Sequence, residues 1–217
     1  MQSVLIIGMG RFGRHMAMQF QKMDAEVLGV DSAEERINEV MNIVDDSCIG
    51  DATNEEFLKS LGVGNFDLCV VAIGTDFQSS LETTSLLKEL GAKLVLSRAS
   101  RDVQAKFLLR NGADAIVYPE RMMAAWAAIR YSSTNIFDFT ALNENYGIYE
   151  VATPEKWVGR TVGELDIRRK HNINILAFKD GEQLVMDISH TSTFNPAQHL
   201  LVLGAHEAVE KTFHLEG

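Results

Sequence analysis

Ser3-Val4-Leu5-Ile6-Ile7-Gly8-Met9-Gly10-Arg11-Phe12-Gly13 is the stretch on which the fold turns. Its aliphatic run has no alternating polar positions, which predicts a strand buried on both faces. The G-x-G-x-x-G that follows puts one glycine at a tight turn and a second where a pyrophosphate can approach the backbone. It then opens a helix whose free amides point at phosphate oxygens. Glycines recur by chance, so the weight of the motif comes from its place between strand and helix.

Working outward, similar apolar runs return at 27–30, 47–49, 68–73, 93–96 and 115–118. Segments of helical pattern separate them, at 11–23, 33–42, 54–61, 77–90 and 101–111. Strand alternating with helix at this spacing predicts an α/β fold: a Rossmann-like, doubly wound parallel sheet of about six strands. Residues 120–131 read as one more helix with almost no polar face, Met122 to Ile129 being wholly apolar. A helix apolar all round must be covered all round. One side is expected to pack on a partner subunit, the alternative being burial by the C-terminal part of the chain. The expected organisation is a nucleotide-binding domain at 1–135, a docked linker at 136–146 rich in turn formers, and a smaller α+β domain at 147–217. In that last part strands are expected at 148–152, 173–178, 184–186 and 200–203, with helices starting near Thr161 and Ala205.

The chain has 217 residues and a formal net charge of −10. No basic block stands in either half, so binding to nucleic acid is disfavoured. The longest apolar run is far shorter than the 18 or more residues needed to cross a bilayer, so no membrane insertion of its own is expected. The N-terminal residues run directly into the first strand without a leader pattern, and a cytoplasmic location is the expectation. Cys48 and Cys69 stand in apolar strand contexts and read as buried free thiols.

Candidate ligand-binding residues fall at the carboxyl ends of the expected strands, where open α/β sheets bind ligands. Gly8, Gly10, Arg11, Phe12 and Gly13 form the glycine loop. Asp31 lies 18 residues after Gly13 at the end of the second strand, placed to accept hydrogen bonds from both ribose hydroxyls and to repel a 2′-phosphate; the alternative is that it only caps the next helix. Asp51, Ala52 and Thr53 follow the third strand and can offer a carboxylate and a backbone amide to an adenine edge; the alternative is that Asp51 or Thr53 only caps the next helix. Ala72, Ile73 and Gly74 follow the fourth strand beside the phosphates, with a cap at Thr75 or Asp76 as the alternative. Arg11 and Arg98 bring two guanidinium groups to the phosphate end. A dinucleotide spreads two phosphates over one helix end and needs little added charge, whereas a terminal triphosphate does need it.

A dehydrogenase would need a proton-transferring His, Lys or Tyr facing the nicotinamide. His171, His190, His199 and His206 have no paired acid at a recognisable spacing and read as scattered surface histidines. A small NAD-dependent oxidoreductase using the same cleft is therefore the alternative and not the leading reading; the chain is not expected to be an enzyme.

With the glycine loop, Asp31, Gly50-Asp51-Ala52-Thr53, Val71-Ala72-Ile73-Gly74, Arg98-Ala99 and Tyr118-Pro119-Glu120 in this order, the chain resembles the RCK (regulator of conductance of potassium) family. The likeness is to the cytosolic gating subunits of Ktr and Trk potassium transporters. It extends into the tail through Val158-Gly159-Arg160-Thr161-Val162-Gly163-Glu164-Leu165 and Asn174-Ile175-Leu176-Ala177. The resemblance implies binding of ATP and ADP, in some members NAD or NADH. It also implies homodimers assembled into an octameric ring, docked at the inner face of the membrane beneath a separate potassium-translocating subunit. By residue matching it makes Arg11 the arginine that reaches a γ-phosphate across the dimer. It makes Glu120 an interface carboxylate near a divalent cation, magnesium or calcium, so that Glu120→Gln should spare metal-free binding and reduce the gain from metal. It further implies cyclic di-AMP at the C-terminal domain, with Arg168, Arg169 and Asn174 in the segment concerned.

Overall fold

The computed structural model describes residues 2–213; Met1 and the last four residues of the expected C-terminal domain lie outside the described residues. The chain divides into two compact units at Arg121. The first runs β1 (Ser3–Ile7), α1 (Arg11–Lys22), β2 (Glu26–Asp31), α2 (Glu34–Asn38), β3 (Asp46–Ile49), α3 (Glu55–Leu61), β4 (Leu68–Val71), α4 (Phe77–Glu89), β5 (Val95–Arg98), α5 (Asp102–Arg110) and β6 (Ala115–Val117). The boundary falls within α6 (Pro119–Tyr131).

All strand pairs of the first unit are parallel, in the order β3-β2-β1-β4-β5-β6. The aliphatic run of β1 sits at the centre because both of its faces are needed. Val4 and Ile6 pack on one side with Ala17, Val27 and Val70. Leu5 and Ile7 pack on the other with Val30, Leu58, Cys69 and Val71. Chain order reverses between β1 and β4, and the crevice at that switch point is where such sheets take ligands. Burial pushes the Cys69 thiol up to about 12, so it stays protonated and inert. Cys48, on the edge strand β3, is only half-buried, against the expectation.

The second unit is a five-stranded antiparallel sheet. It comprises β7 (Ile136–Ala141), β8 (Tyr146–Ala152), α7 (Val162–Leu165), α8 (Ile167–His171), β9 (Ile173–Asp180), β10 (Gln183–Val185), β11 (His199–Ala205) and α9 (His206–Phe213), with sheet order β10-β9-β11-β8-β7. Its core is aromatic: Trp157 meets Phe194 and Phe213 at ring separations of 5.4 and 5.3 Å. Thr161 and Glu164 form a reciprocal capping box at α7.

Residues 136–146 are a correction. They form not a linker but the edge strand β7 and the turn that pairs it with β8. The register shifts between Ile136 and Asp138, so Ile136 and Phe139, three residues apart, are both buried. That bulge erases the period of two by which a strand is recognised. Helix α6 has no buried residue: Trp126 and Ile129 pack against the core of the second unit, while Met122 and Met123 are 61% and 59% exposed. Three of the four histidines are also not surface groups. His199 holds Glu150 at 2.7 Å and stacks on Phe137, His206 meets Tyr149, and His171 is half-buried beside Trp157 and 3.3 Å from the Thr212 hydroxyl.

Burial, then the nearby charges of Lys156 and Lys170, hold the His171 imidazole below its usual range. The neutral ring is thus favoured in the folded state, and its contribution is complete above the unfolded value near 6.5 and lost as pH falls. The melting midpoint of the parent is expected to drop more between pH 7.5 and 5.5 than that of His171→Gln. Equal drops would show that His171 does not set the acid limit.

Candidate ligand-binding cleft

The carboxyl ends of the first unit's strands enclose a cleft of about 640 Å³, well within the size of small-molecule sites. The glycine loop forms one wall. Gly8 adopts φ +99° and donates its amide to the Val30 carbonyl at 2.7 Å, tying the turn to β2. Gly13 lies under the loop, where an added Cβ would stand 2.0 Å from the Gly8 carbonyl oxygen. At Gly10 an added Cβ would meet no described residue within 4 Å other than its chain neighbours. Packing therefore does not require glycine there, and the open space is the cleft itself, as a phosphate approaching the backbone needs. Helix α1 has no side-chain cap and no acid in its first turn, so its amide end is left for an anion.

Asp31 is 4% exposed and heavily engaged. Its carboxylate accepts from the Met9 amide at 2.7 Å, the Ala33 amide at 2.9 Å and Arg36 at 3.3 Å. With about four acceptor positions on a carboxylate, one is left, enough for one ribose hydroxyl and not the expected two. Asp31→Ala should therefore weaken every adenosine ligand alike by about 1.5 kcal/mol, near tenfold, the worth of one charge-assisted hydrogen bond. It should also lower unfolding stability by about 1–3 kcal/mol, since the buried Met9 amide then loses its acceptor. Titrations of ATP and NADH that stayed within twofold of the parent would assign Asp31 to loop architecture alone.

Asp51 turns back on Thr53, accepting from its amide at 2.9 Å and its hydroxyl at 2.7 Å, and these two bonds lower the carboxyl's pKa. Neither residue caps α3; Asn54 does, accepting from the Glu56 and Phe57 amides. Asp51, Ala52 and Thr53 all line the cleft. On the far wall Ala72, Ile73 and Gly74 leave β4, and Asp76 is the cap of α4. Arg98 reaches across from the end of β5 to pair with Glu120 at the start of α6, and its guanidinium lies 6.0 Å from the Phe12 ring centre. Arg11 is exposed at the mouth and makes no hydrogen bond or ion pair with any described residue.

Every expected cleft residue except Gly13 thus lies on one wall or another of a single cavity, and Gly13 shapes it from below. Sequence reasoning missed Arg14, Arg36, Ser79 and Thr83, which also line it. Arg36 had a usable signal: five residues beyond Asp31, it is the basic residue of the short α2 and folds back onto the acid.

The second unit holds a separate pocket of about 570 Å³ between α7, α8 and β9. Arg168, Arg169 and Asn174 line it together with Ile175, Ile188 and His190. Among the described residues no group of three or more His, Cys, Asp or Glu is placed to hold a metal ion, and no helix is long and apolar enough to cross a membrane.

A doubly wound parallel domain with a glycine loop and an acid-terminated second strand, followed by a small antiparallel domain, is the two-domain arrangement of the RCK fold. The TrkA-N domain family matches residues 4–119 and the TrkA-C domain family residues 147–217. Ktr system potassium uptake protein C of Bacillus subtilis is 38% identical over 92% of this chain and 90% of its own length. Ktr system potassium uptake protein A of the same organism is 33% identical over 98% and 95%. Among solved structures, the GsuK channel bound to NAD superposes on all of this chain with a TM-score of 0.68 at 15% identity; this chain spans 39% of that one. The chain belongs to the TrkA family of RCK regulatory subunits of potassium uptake.

Proposed function

We propose that the chain is a non-enzymatic gating subunit that binds ATP and ADP in the first unit's cleft and controls a separate membrane subunit that translocates potassium. The observation that carries this reading is the phosphate end of the cleft. A helix terminus without a side-chain cap serves the first phosphates, and Arg11 beside it, with no partner among the described residues, is spare for a group farther out. The walls are arginine, acid and small hydroxyl side chains, suited to hold phosphates and ribose rather than to relay a proton. NAD or NADH would fit the same loop, and the NAD-bound GsuK channel supports that ligand class. Glu120 would hold a divalent cation, magnesium or calcium, that neutralises the outer phosphate.

Two ring shapes with different affinities for ATP and ADP are sufficient for gating, because a ligand shifts an equilibrium only by its differential affinity. The subunit would work in the cytoplasm as homodimers assembled into an octameric ring, with the exposed Met122 and Met123 face of α6 as a dimer contact. The pocket at Arg168, Arg169 and Asn174 would take cyclic di-AMP, its two guanidinium groups meeting the phosphates. Potassium flux through the partner, reconstituted in vesicles, should change when ATP replaces ADP. Flux indifferent to that exchange would overturn the gating role, and reproducible NADH turnover with a metabolite would favour the oxidoreductase.

A further inference from the structure

We infer that Arg98 and Glu120 form a latch across the phosphate end of the cleft: an incoming phosphate opens it by taking Arg98, which releases Glu120 to a divalent cation. The inference rests on the nucleotide reading above. Arg98 is the fixed half of the pair. Its guanidinium lies against Gly74, where an added Cβ would stand 2.0 Å from Nη1, so it occupies space that a side chain at residue 74 would fill. Its Nε is enclosed without a hydrogen-bond partner, and its Nη2 donates to Glu120. Side-chain exposure is 19% for Arg98 and 68% for Glu120, so the carboxylate is the half that can swing away.

A phosphate that reaches the α1 terminus therefore meets a guanidinium whose outward edge is already occupied. Exchange of a carboxylate oxygen for a phosphate oxygen keeps Arg98 paired. It leaves Glu120 unpaired beside added negative charge, where it opposes binding until a hard cation bridges the two oxygens. Cation affinity and latch opening are then reciprocal expressions of one coupling. This alters what Glu120→Gln should do: metal-free binding improves instead of staying level.

Calorimetric titration of the full chain with ATP, in EDTA and in magnesium, tests it on the parent, Glu120→Gln, Arg98→Ala and the double variant. Glu120→Gln is expected to bind metal-free ATP roughly two- to fivefold more tightly than the parent, the range an exposed ion pair spans, and to lose most of the magnesium gain. In the Arg98→Ala background the same substitution should bring a clearly smaller gain, because only the repulsion between Glu120 and phosphate is left to relieve and no ion pair has to be broken. An equal gain there would mean plain repulsion alone, and would overturn the latch. An unchanged metal-free affinity in Glu120→Gln would overturn it as well. A parent that binds no nucleotide would instead remove the reading on which the latch rests. Should Arg98→Ala not fold, Arg98→Gln supplies the background.

Discussion

Gly13→Ala is expected to abolish nucleotide binding and to lower the unfolding free energy by about 3 kcal/mol, the upper range for overpacking a tight site. The Cβ would stand 2.0 Å from the Gly8 carbonyl oxygen, which is backbone and cannot rotate away. Gly8 is itself held on two sides, by its amide bond to the Val30 carbonyl and by the Ile73 amide nitrogen 3.0 Å from where its own Cβ would be. Relief must come from moving α1 away from the sheet, and that carries the helix amides off the phosphate position. Gly10→Ala is the control. Beyond its chain neighbours no described residue stands within 4 Å of its added Cβ, so stability should hold while binding falls, because the methyl occupies phosphate space. Denaturant unfolding and calorimetry on both variants check the pair; a Gly13→Ala protein with parental stability and binding would mean that the loop relaxes without help from α1.

Arg11→Ala is the variant expected to separate ATP from ADP. If the guanidinium meets a γ-phosphate, ATP loses on the order of 1.5–3 kcal/mol, roughly ten- to a hundredfold, and ADP much less. No structural penalty should accompany the loss, since the side chain is exposed and has no partner among the described residues to abandon. Equal losses for the two nucleotides would reduce Arg11 to a general electrostatic contribution and remove the main physical reason for preferring a gate to an oxidoreductase.

Much of the first unit was legible because parallel strands covered on both faces are written as unbroken aliphatic runs, and because the turn chemistry of the glycine loop admits few side chains. Asp31 could be placed from spacing, but its surroundings could not. That Met9, Ala33 and Arg36 already fill three of its acceptor positions depends on how the loop and α2 fold back on β2. Likewise, both Arg98 and Glu120 were readable as charged groups near the phosphates, yet 22 residues separate them in sequence and nothing local says that they pair. Strand β7 was hidden for another reason: its bulge puts Ile136 and Phe139 on the same side, and the flanking Ser, Thr and Asn residues imitate a loop. The packed histidines were missed because their partners, Glu150, Tyr149 and Thr212, lie on other strands and helices.

The place of β1 in the sheet also sets an order of events during synthesis. Val4 to Ile7 pair on one side with β2, some twenty residues later, but on the other with Leu68 to Val71. At 5–20 residues per second the ribosome needs on the order of 3–13 s to make that second partner. Until then one edge of a strand with four consecutive buried aliphatic residues is open to any other strand. The hairpins of the second unit, β7 with β8 and β9 with β10, join neighbours and close as soon as they are made. The half that carries the cleft is thus the half exposed to mispairing, and a lesion in β4 would be felt first as failed assembly of a nascent chain, before any question of ligand arises.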